Sequence, residues 1–215
     1  ILEDRPKQVG VRVHLAETML LQAQHLLSRS YSFRSVVMMH RAIHEAAQCI
    51  EHDARLRSAW KVVGDACFAL SRIDMPDAHP REHALQRLII LLDQLAVDHR
   101  MPTVRVVQSA PLSPLTNGVL EPAVYVECAV LVFKYMAYLC ANDEHGCVLA
   151  WADLATSLCR MALMLHASNM TDEPDERAEQ ARREAIQCTK VAMKLRPMAR
   201  LWLLLGHLHF AHSPM

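Results

Sequence analysis

Residues 58–67, with the sequence SAWKVVGDAC, decide the fold of this chain. They place Trp60, Val63, Gly64 and Cys67 on one side of a helix, because steps of three and four residues return to the same face. A tryptophan fills the interface of a helical hairpin, and a nearby glycine lets the two backbones approach closely. The large and the small residue together predict a helix that packs tightly against a second one.

The same spacing occurs twice more and uses all 3 tryptophans of the chain. The two further sets are Trp151, Leu154, Ala155 and Leu158, with Ala in place of Gly, and Trp202, Leu205, Gly206 and His209. These steps resemble the first helix of a tetratricopeptide repeat, whose pattern is Trp, Leu, Gly and Tyr.

Small residues mark the second helix of each predicted hairpin. Ala42, Ala46 and Cys49 precede Trp60 at the distances that the repeat requires, and Ala185, Thr189, Ala192 and the turn ending at Pro197 precede Trp202. The aromatic residue of the second helix is absent before both tryptophans, so the repeats are degenerate.

Hydrophobic periodicity predicts eight helices, at about 9–27, 36–53, 58–73, 81–97, 122–141, 148–167, 175–195 and from 200 onward. Residues 100–121 contain three prolines and an Asn-Gly pair, and they predict an inserted loop with a short extended run at 104–107. The predicted fold is all-α, a tetratricopeptide-type helical hairpin solenoid with degenerate repeats. We expect hairpin repeats at 1–99, the inserted loop at 100–121 and further hairpin repeats, truncated at the end, at 122–215.

Composition favours a folded protein that binds other proteins. Hydrophobic residues make up 52% of the 215 residues, and Lys+Arg and Asp+Glu balance at 23 each. This balance lacks the excess positive charge of a nucleic-acid or membrane-surface binder. The 7 cysteines include no Cys-x-x-Cys pair, which favours buried, reduced thiols in the cytoplasm or the nucleus. No signal peptide and no uninterrupted apolar stretch of about 18 residues is present.

The sequence offers little for catalysis, and we expect no cofactor. His44 opens a run that is one histidine short of the zinc-peptidase motif, since Gln48 stands in the second histidine's place. His40 and His44 could share a metal but have no third ligand, and surface or interface histidines are the preferred interpretation. His207, His209 and His212 are interpreted as residues of the last helix rather than as metal ligands, with His209 at the tyrosine position of the repeat. A metal-dependent enzyme therefore remains the least favoured alternative.

The sequence bears on two binding modes, nucleic-acid binding and the binding of a carboxylate terminus. The basic residues at 177–196 are interleaved with Glu179 and Glu184, which favours a solvated helix face over a nucleic-acid surface. Lys61 stands where a carboxylate-binding lysine would, but Asp65 replaces the asparagine that such a clamp requires. We expect a carboxylate to be repelled here.

Residues 60–67 also resemble the Trp-Lys-x-x-Gly-Asp-Ala-Cys segment of the tetratricopeptide scaffold subunit of the superkiller complex. The Leu-Ala-Glu-Thr run at 15–18 and the Trp-Ala-Asp-Leu-Ala run at 151–155 match the same family in the same order. The resemblance implies a non-enzymatic cytoplasmic scaffold that assembles an RNA helicase and WD-repeat propeller subunits for exosome-linked 3′-to-5′ mRNA decay, with RNA contacted indirectly. The alternative is a tetratricopeptide adaptor for another protein or peptide.

Overall fold

The computed structural model describes residues 6–73, 83–98, 122–141, 143–168 and 176–210. Within these residues the chain forms eight α-helices and no strand, which confirms the all-α prediction. The helices are α1 (Pro6–Ser28), α2 (Ser32–His52), α3 (Arg57–Leu70), α4 (His83–Asp98), α5 (Pro122–Leu139), α6 (Glu144–Ser168), α7 (Glu176–Leu195) and α8 (Ala199–Phe210). The predicted loop at 100–121, its extended run at 104–107 and the proline segment at 74–80 lie outside the described residues.

Helix α6 begins earlier than the hydrophobic pattern predicts. It starts at Glu144 because Asp143 caps it: the Asp143 Oδ1 atom accepts a hydrogen bond of 3.1 Å from the Gly146 N–H. This interaction satisfies one of the free N–H groups of the first turn. Arg57 Nη1 pairs with the other carboxylate oxygen of Asp143 at 2.6 Å, and the two contacts lower the pKa of Asp143. Capping thus links the start of α6 to the start of α3.

Neighbouring helices pack as hairpins in a continuous stack. The pairs are α1 with α2, α3 with α5, and α6 with α7; α2 packs on α3, α5 packs on α6, and α8 packs on α7. α1 contacts α3, α3 is joined to α6 by the Lys61–Asp153 ion pair, and α6 contacts α8, which places these four helices in one row. α2 and α5 are joined by His40 and Tyr125, and α5 and α7 by Lys134 and Glu184, so these three helices form the second row. The chain is therefore a helical hairpin solenoid.

The partner of α3 is α5 rather than α4, the next helix along the chain. Helix α4 lies against α2 and α5 instead. The α3–α5 pair therefore crosses the region where the sequence predicts an inserted loop between two blocks of repeats. The division into blocks at 100–121 stays a prediction.

The main hydrophobic core runs through the stack, from Val13 in α1 to Leu208 in α8, and a smaller cluster of Ala152, Ala192 and Leu201 joins α6, α7 and α8. The largest fully buried side chains of the main core include Trp60, Tyr125 and Phe133, from α3 and α5. Burying a side chain of this size stabilises the fold by about 1.5–3 kcal/mol relative to exposure. The repeated alanines let the helices approach closely enough for these large residues to fill the space between them.

Polar side-chain contacts also join separate helices of the stack. The buried Ser35 hydroxyl donates to the Ala23 carbonyl at 2.8 Å and joins α2 to α1. Lys134 of α5 pairs with Glu184 of α7 at 3.2 Å, and their side chains are 9% and 13% exposed. Both ions lose most of their hydration, so each depends on the other. The pair fixes how α5 and α7 align.

All seven cysteines are free thiols, and six of them are buried. Burial raises the pKa of the Cys128 thiol far above its usual range and raises that of Cys188 to about 12. Because the thiolate is the reactive form, these two cysteines are inert core residues. The prediction of buried, reduced thiols agrees with this arrangement.

Two helices are long and apolar enough to cross a membrane by length and composition. They are α5, over Pro122–Leu139, and the part of α6 at His145–Ala167. The sequence analysis counted only uninterrupted apolar residues, so it did not identify these two helices, each of which contains polar residues. About half of each segment, 56% and 50%, is buried inside the helix stack, as expected for core helices of a folded domain.

Candidate protein-binding groove

Trp60 is the centre of the α3 interface. Its ring is fully buried and meets Tyr135 of α5 edge-to-face, with ring centroids 5.2 Å apart. Its Nε1–H donates to the Ala54 carbonyl at 2.8 Å, and the Tyr135 hydroxyl donates to the same carbonyl at 3.2 Å. The turn between α2 and α3 is thereby held by one side chain from each helix of the α3–α5 hairpin.

Gly64 lies where α3 and α5 approach each other closely. A Cβ atom built on Gly64 would lie 2.7 Å from Cζ and 2.8 Å from Cε1 of Phe133, closer than real carbon contacts allow. The Phe133 ring is itself buried. Glycine is thus required here by space, and Val63 and Cys67 fill the buried surface beside it.

The second predicted set, on α6, also faces inward. Leu154, Ala155 and Leu158 are buried, and Trp151 is half-buried against the core. On α7, Ala185 and Ala192 are fully buried, while Pro197 is exposed in the turn before α8. The role of all these residues as marks of a repeat stays a prediction.

Trp202 differs from the prediction that the tryptophan fills a hairpin interface. Its side chain is 60% exposed, and Leu203 and Phe210 beside it are more exposed still. Leu205 and Gly206 are only half-buried, and no described atom lies within 4 Å of a Cβ placed on Gly206. The physical reason is that no described helix packs on this side of α8, whereas α5 covers the corresponding side of α3.

A groove runs between α1 and α3, and the first residue of α2 also lines it. It has a volume of about 740 Å³ and is called the α1–α3 groove below. Its lining residues are Gln24, Leu27, Ser28, Ser32, Asp65, Phe68, Ala69, Arg72 and Ile73. The apolar lining residues are buried or half-buried and are called the apolar floor below, whereas Gln24, Ser28 and Arg72 are exposed. Such an open groove with an apolar floor suits a protein segment better than a small enclosed ligand.

Asp65, which lines this groove, belongs to a cluster of three charges. Lys61 of α3 pairs with Asp65 on the same helix and with Asp153 of α6, the second contact measuring 3.1 Å. Its Nζ atom also lies 5.4 Å from the ring centroid of Phe133. Burial opposes the charge of Lys61, but the two carboxylates outweigh burial and raise its pKa. Burial raises the pKa of Asp65, and Lys61 partly offsets that effect.

Because Lys61 is held by two carboxylates, an incoming carboxylate would have to displace one of them. The structure therefore provides a physical reason for the expectation that this position does not hold a carboxylate terminus. Two turns after Asp153 on α6, Arg160 donates a hydrogen bond of 3.1 Å to the carbonyl of Ser71, the residue that follows α3. This contact joins α6 to the end of α3.

The histidine pair considered as a metal site is divided between two environments. His40 is buried, and its Nε2 atom lies 3.3 Å from the Tyr125 hydroxyl. His40 is thus a histidine of a helix interface, one of the two alternatives in the interpretation, because α5 covers that part of α2. His44 is exposed and contacts Gln48 at 2.9 Å. In the part of the chain that the structure describes, no three His, Cys, Asp or Glu side chains are grouped to hold a metal.

Glu179 pairs with basic residues of α7 as the sequence indicated, whereas Glu184 pairs with Lys134 of α5 instead. Arg182 and Arg183 both contact Glu179, and these hydrogen bonds lower the pKa of Glu179 to about 2. Arg182 also donates to the Leu208 carbonyl at 2.9 Å and thereby ties α7 to the last turn of α8. Arg182 and Arg183 are therefore already bound within the protein, which favours a structural role for these two basic residues.

Sequence reasoning missed the contribution of α5 to the α3 interface. It searched for an aromatic residue on the helix before Trp60, whereas Phe133 and Tyr135 come from a helix after it. The apolar stretch at 122–139, which contains both residues, indicated a buried helix. The long segment between α3 and α5 breaks the repeat spacing, so the sequence did not identify α5 as the partner of α3. It also missed Asp153, whose contact with Lys61 depends on how α6 packs.

The comparisons with known proteins agree with a helical-repeat architecture. Over 208 residues, 96% of this chain, the sequence is 22% identical to Superkiller protein 3 of Schizosaccharomyces pombe. The chain spans 14% of the length of that relative. No protein-family model and no solved structure matches the chain. The similarity supports a helical-repeat relationship between this chain and Superkiller protein 3.

Proposed function

We propose that this chain is a non-enzymatic scaffold segment that binds the other proteins of a superkiller-type assembly. The observation that carries the proposal is the hairpin stack of the described helices, in a chain that is similar to Superkiller protein 3 over 96% of its length. A solenoid of this kind binds through surface spread over several helices rather than through one catalytic site. The α1–α3 groove, with its apolar floor and exposed polar residues, supplies such a surface.

The partners we propose are an RNA helicase and WD-repeat propeller subunits. They follow from the resemblance at residues 60–67, and the groove is compatible with protein partners. In this proposal RNA contacts the helicase, and the scaffold acts in the cytoplasm without a cofactor. Its contribution to mRNA decay is to keep the partner proteins together near the exosome.

The direct test is affinity purification of the full-length natural protein from cytoplasmic extract, followed by a salt wash and mass spectrometry. We expect an RNA helicase and a WD-repeat protein to remain bound. Recovery of chaperones or other proteins without a helicase would contradict the superkiller role and favour the general tetratricopeptide adaptor.

A pair of variants tests whether the groove takes part. Arg72→Glu reverses an exposed charge in the groove, and Lys190→Glu makes the same change on the exposed side of α7. We expect the first variant to recover less partner protein and the second to match the wild type. Equal recovery by both variants would place the binding surface elsewhere on the stack.

A further inference from the structure

Two cysteines lie on either side of the turn between α5 and α6. Cys140 follows the last residue of α5, and Cys147 lies in the first turn of α6. Backbone hydrogen bonds join both of them to Asp143. The Asp143 N–H donates to the Cys140 carbonyl at 2.8 Å, and the Cys147 N–H donates to the Asp143 carbonyl at 2.8 Å. The turn therefore brings two free thiols together in one short segment of chain.

The sulfur of Cys140 has a cationic neighbour from another helix. Arg57, the first residue of α3, donates a hydrogen bond of 3.7 Å from its Nη1 atom to the Cys140 Sγ atom. An arginine beside a cysteine favours the thiolate, which is the nucleophilic form, so this contact makes Cys140 more reactive than a thiol buried among apolar groups. Asp143 pairs with the same guanidinium at 2.6 Å and limits the effect.

Cys140 lies directly beneath the protein surface. The residue is 3% exposed, but the Arg57 and Asp143 side chains that cover it are 46% and 44% exposed. Movement of one exposed side chain, Arg57, is therefore enough to open the sulfur to a molecule as small as hydrogen peroxide.

Cys147 is placed to react with a modified Cys140. Arg57 Nη1 lies 3.4 Å from the point where a Cβ atom on Gly146 would stand, so the start of α6 approaches the same guanidinium that contacts Cys140. Burial raises the pKa of the Cys147 thiol, a hydrogen bond from Trp151 opposes this effect, and the nearby charge of a Cys140 thiolate adds to it. Cys147 therefore stays protonated at neutral pH, and Cys140 is the first of the two to react.

Cys159 provides a contrast on the same helix. It is half-buried and thus more exposed than Cys140 or Cys147, yet burial raises the pKa of its thiol. Exposure alone selects Cys159, whereas the contact with Arg57 selects Cys140. The two criteria can therefore be separated by experiment.

We propose that Cys140 is a peroxide-sensitive modification site and that Cys147 converts its oxidised form into a disulfide across the α5–α6 turn. The Cys140 thiolate attacks one oxygen of hydrogen peroxide, the O–O bond breaks, and the departing hydroxide takes up a proton to form water, which leaves a sulfenic acid on Cys140. The Cys147 sulfur then attacks the Cys140 sulfur, the S–O bond breaks, and the hydroxide leaves as water with the proton of Cys147. This chemistry is independent of the proposed scaffold function.

The test exposes the folded chain to a small molar excess of hydrogen peroxide near neutral pH and then blocks the remaining thiols with N-ethylmaleimide. Trypsin leaves both cysteines in one peptide, residues 135–160, and further cleavage after Glu144 separates them unless a disulfide joins the two parts. We expect mass spectrometry to find the two parts linked through Cys140 and Cys147. In a Cys147→Ser protein the sulfenic acid has no thiol partner, so dimedone should label Cys140 instead.

Three variants in the Cys147→Ser background identify what controls the reaction. Arg57→Gln removes the cation and should slow dimedone labelling of Cys140 by at least about threefold, because less of the thiol is ionised. Asp143→Asn keeps an oxygen that can cap α6 but leaves Arg57 to the sulfur alone, so labelling should become faster. Arg55→Gln removes an exposed arginine just before α3 and should leave the rate unchanged. Circular dichroism verifies that each variant is folded.

The inference is overturned if peroxide oxidises Cys159 before Cys140, if no disulfide joins Cys140 to Cys147, or if Arg57→Gln is labelled as fast as Arg55→Gln. Failure here is distinct from failure of the proposed function. Wild-type protein that retains the helicase and WD-repeat proteins in the affinity purification, while its Cys140 resists peroxide, would contradict only the inference about the cysteines.

Discussion

Replacing Gly64 by alanine should destabilise the protein, although alanine is the better helix former. The new methyl group would lie 2.7 and 2.8 Å from two ring atoms of Phe133 and 3.2 Å from a third. That ring is buried beneath α3 and cannot rotate away from all three contacts at once. Inserting a methyl group into a packed core costs about 1–3 kcal/mol, and the gain in helix propensity offsets about 1 kcal/mol of it.

Gly206→Ala is the matched control, since Gly206 holds the same position in its motif but has no described atom within 4 Å of its added Cβ. Here only the propensity gain remains, so the variant should be more stable by up to about 1 kcal/mol. Urea denaturation followed by circular dichroism at 222 nm gives both changes in unfolding free energy, provided that the slope against urea concentration is unchanged.

Phe133→Leu provides the second control, because a smaller side chain leaves room for the methyl group. In that background Gly64→Ala should lose most of its penalty, and the double-mutant cycle should show a favourable coupling between the two changes. A Gly64→Ala protein as stable as the Gly206→Ala protein, or a cycle without coupling, would refute the close approach of α3 and α5.

Three further outcomes are expected. Trp60→Ala should lower the unfolding free energy by about 3–5 kcal/mol through the cavity that it leaves, while exposed Trp202→Ala should stay within about 0.5 kcal/mol of the wild type; equal losses in urea titrations would contradict the difference in burial. Lys134→Met should cost about 3 kcal/mol by leaving the carboxylate of Glu184 buried without its partner, and the double variant with Glu184→Leu should recover most of that loss; a double variant as unstable as the single one would argue against this pair. Arg182 and Arg183 lower the pKa of Glu179 in the folded protein to about 2. The contribution of these ion pairs to the unfolding free energy is therefore complete above the unfolded pKa of about 4.5 and disappears as the pH falls toward 2. The stability difference between wild type and Glu179→Gln, about 1 kcal/mol or less for partly exposed ion pairs, should therefore shrink over that interval, and a constant difference would contradict the assignment.

Much of the local structure was predictable, because helix formation depends on near neighbours. Apolar residues at three- and four-residue steps located the helices, and Pro122 correctly marked the first residue of α5. The largest errors in helix ends are at the starts of α2 and α6, each about four residues late, and at α6 the error came from ignoring Asp143 as a capping residue. Caps depend on one side chain that a hydrophobic pattern does not register.

The candidate groove was less predictable, because its parts come from separate helices. The sequence identified Lys61 and Asp65 as neighbours on one face of a helix and concluded that a carboxylate would not bind there. It did not show that Asp153 approaches from α6, nor that α1 supplies the opposite wall of the groove. Each contact depends on the angle and separation at which whole helices pack.

The sequence by itself determined that the chain is helical and that Trp60 and Gly64 stand on a face suited to close packing. Only the tertiary structure decided which helix covers that face: α5 does so for Trp60, whereas no described helix does so for Trp202. The physical reason is that periodicity records which side of a helix is apolar and carries no record of its partner. That choice depends on the shape of the surfaces that meet, such as the ring of Phe133 against the bare backbone of Gly64.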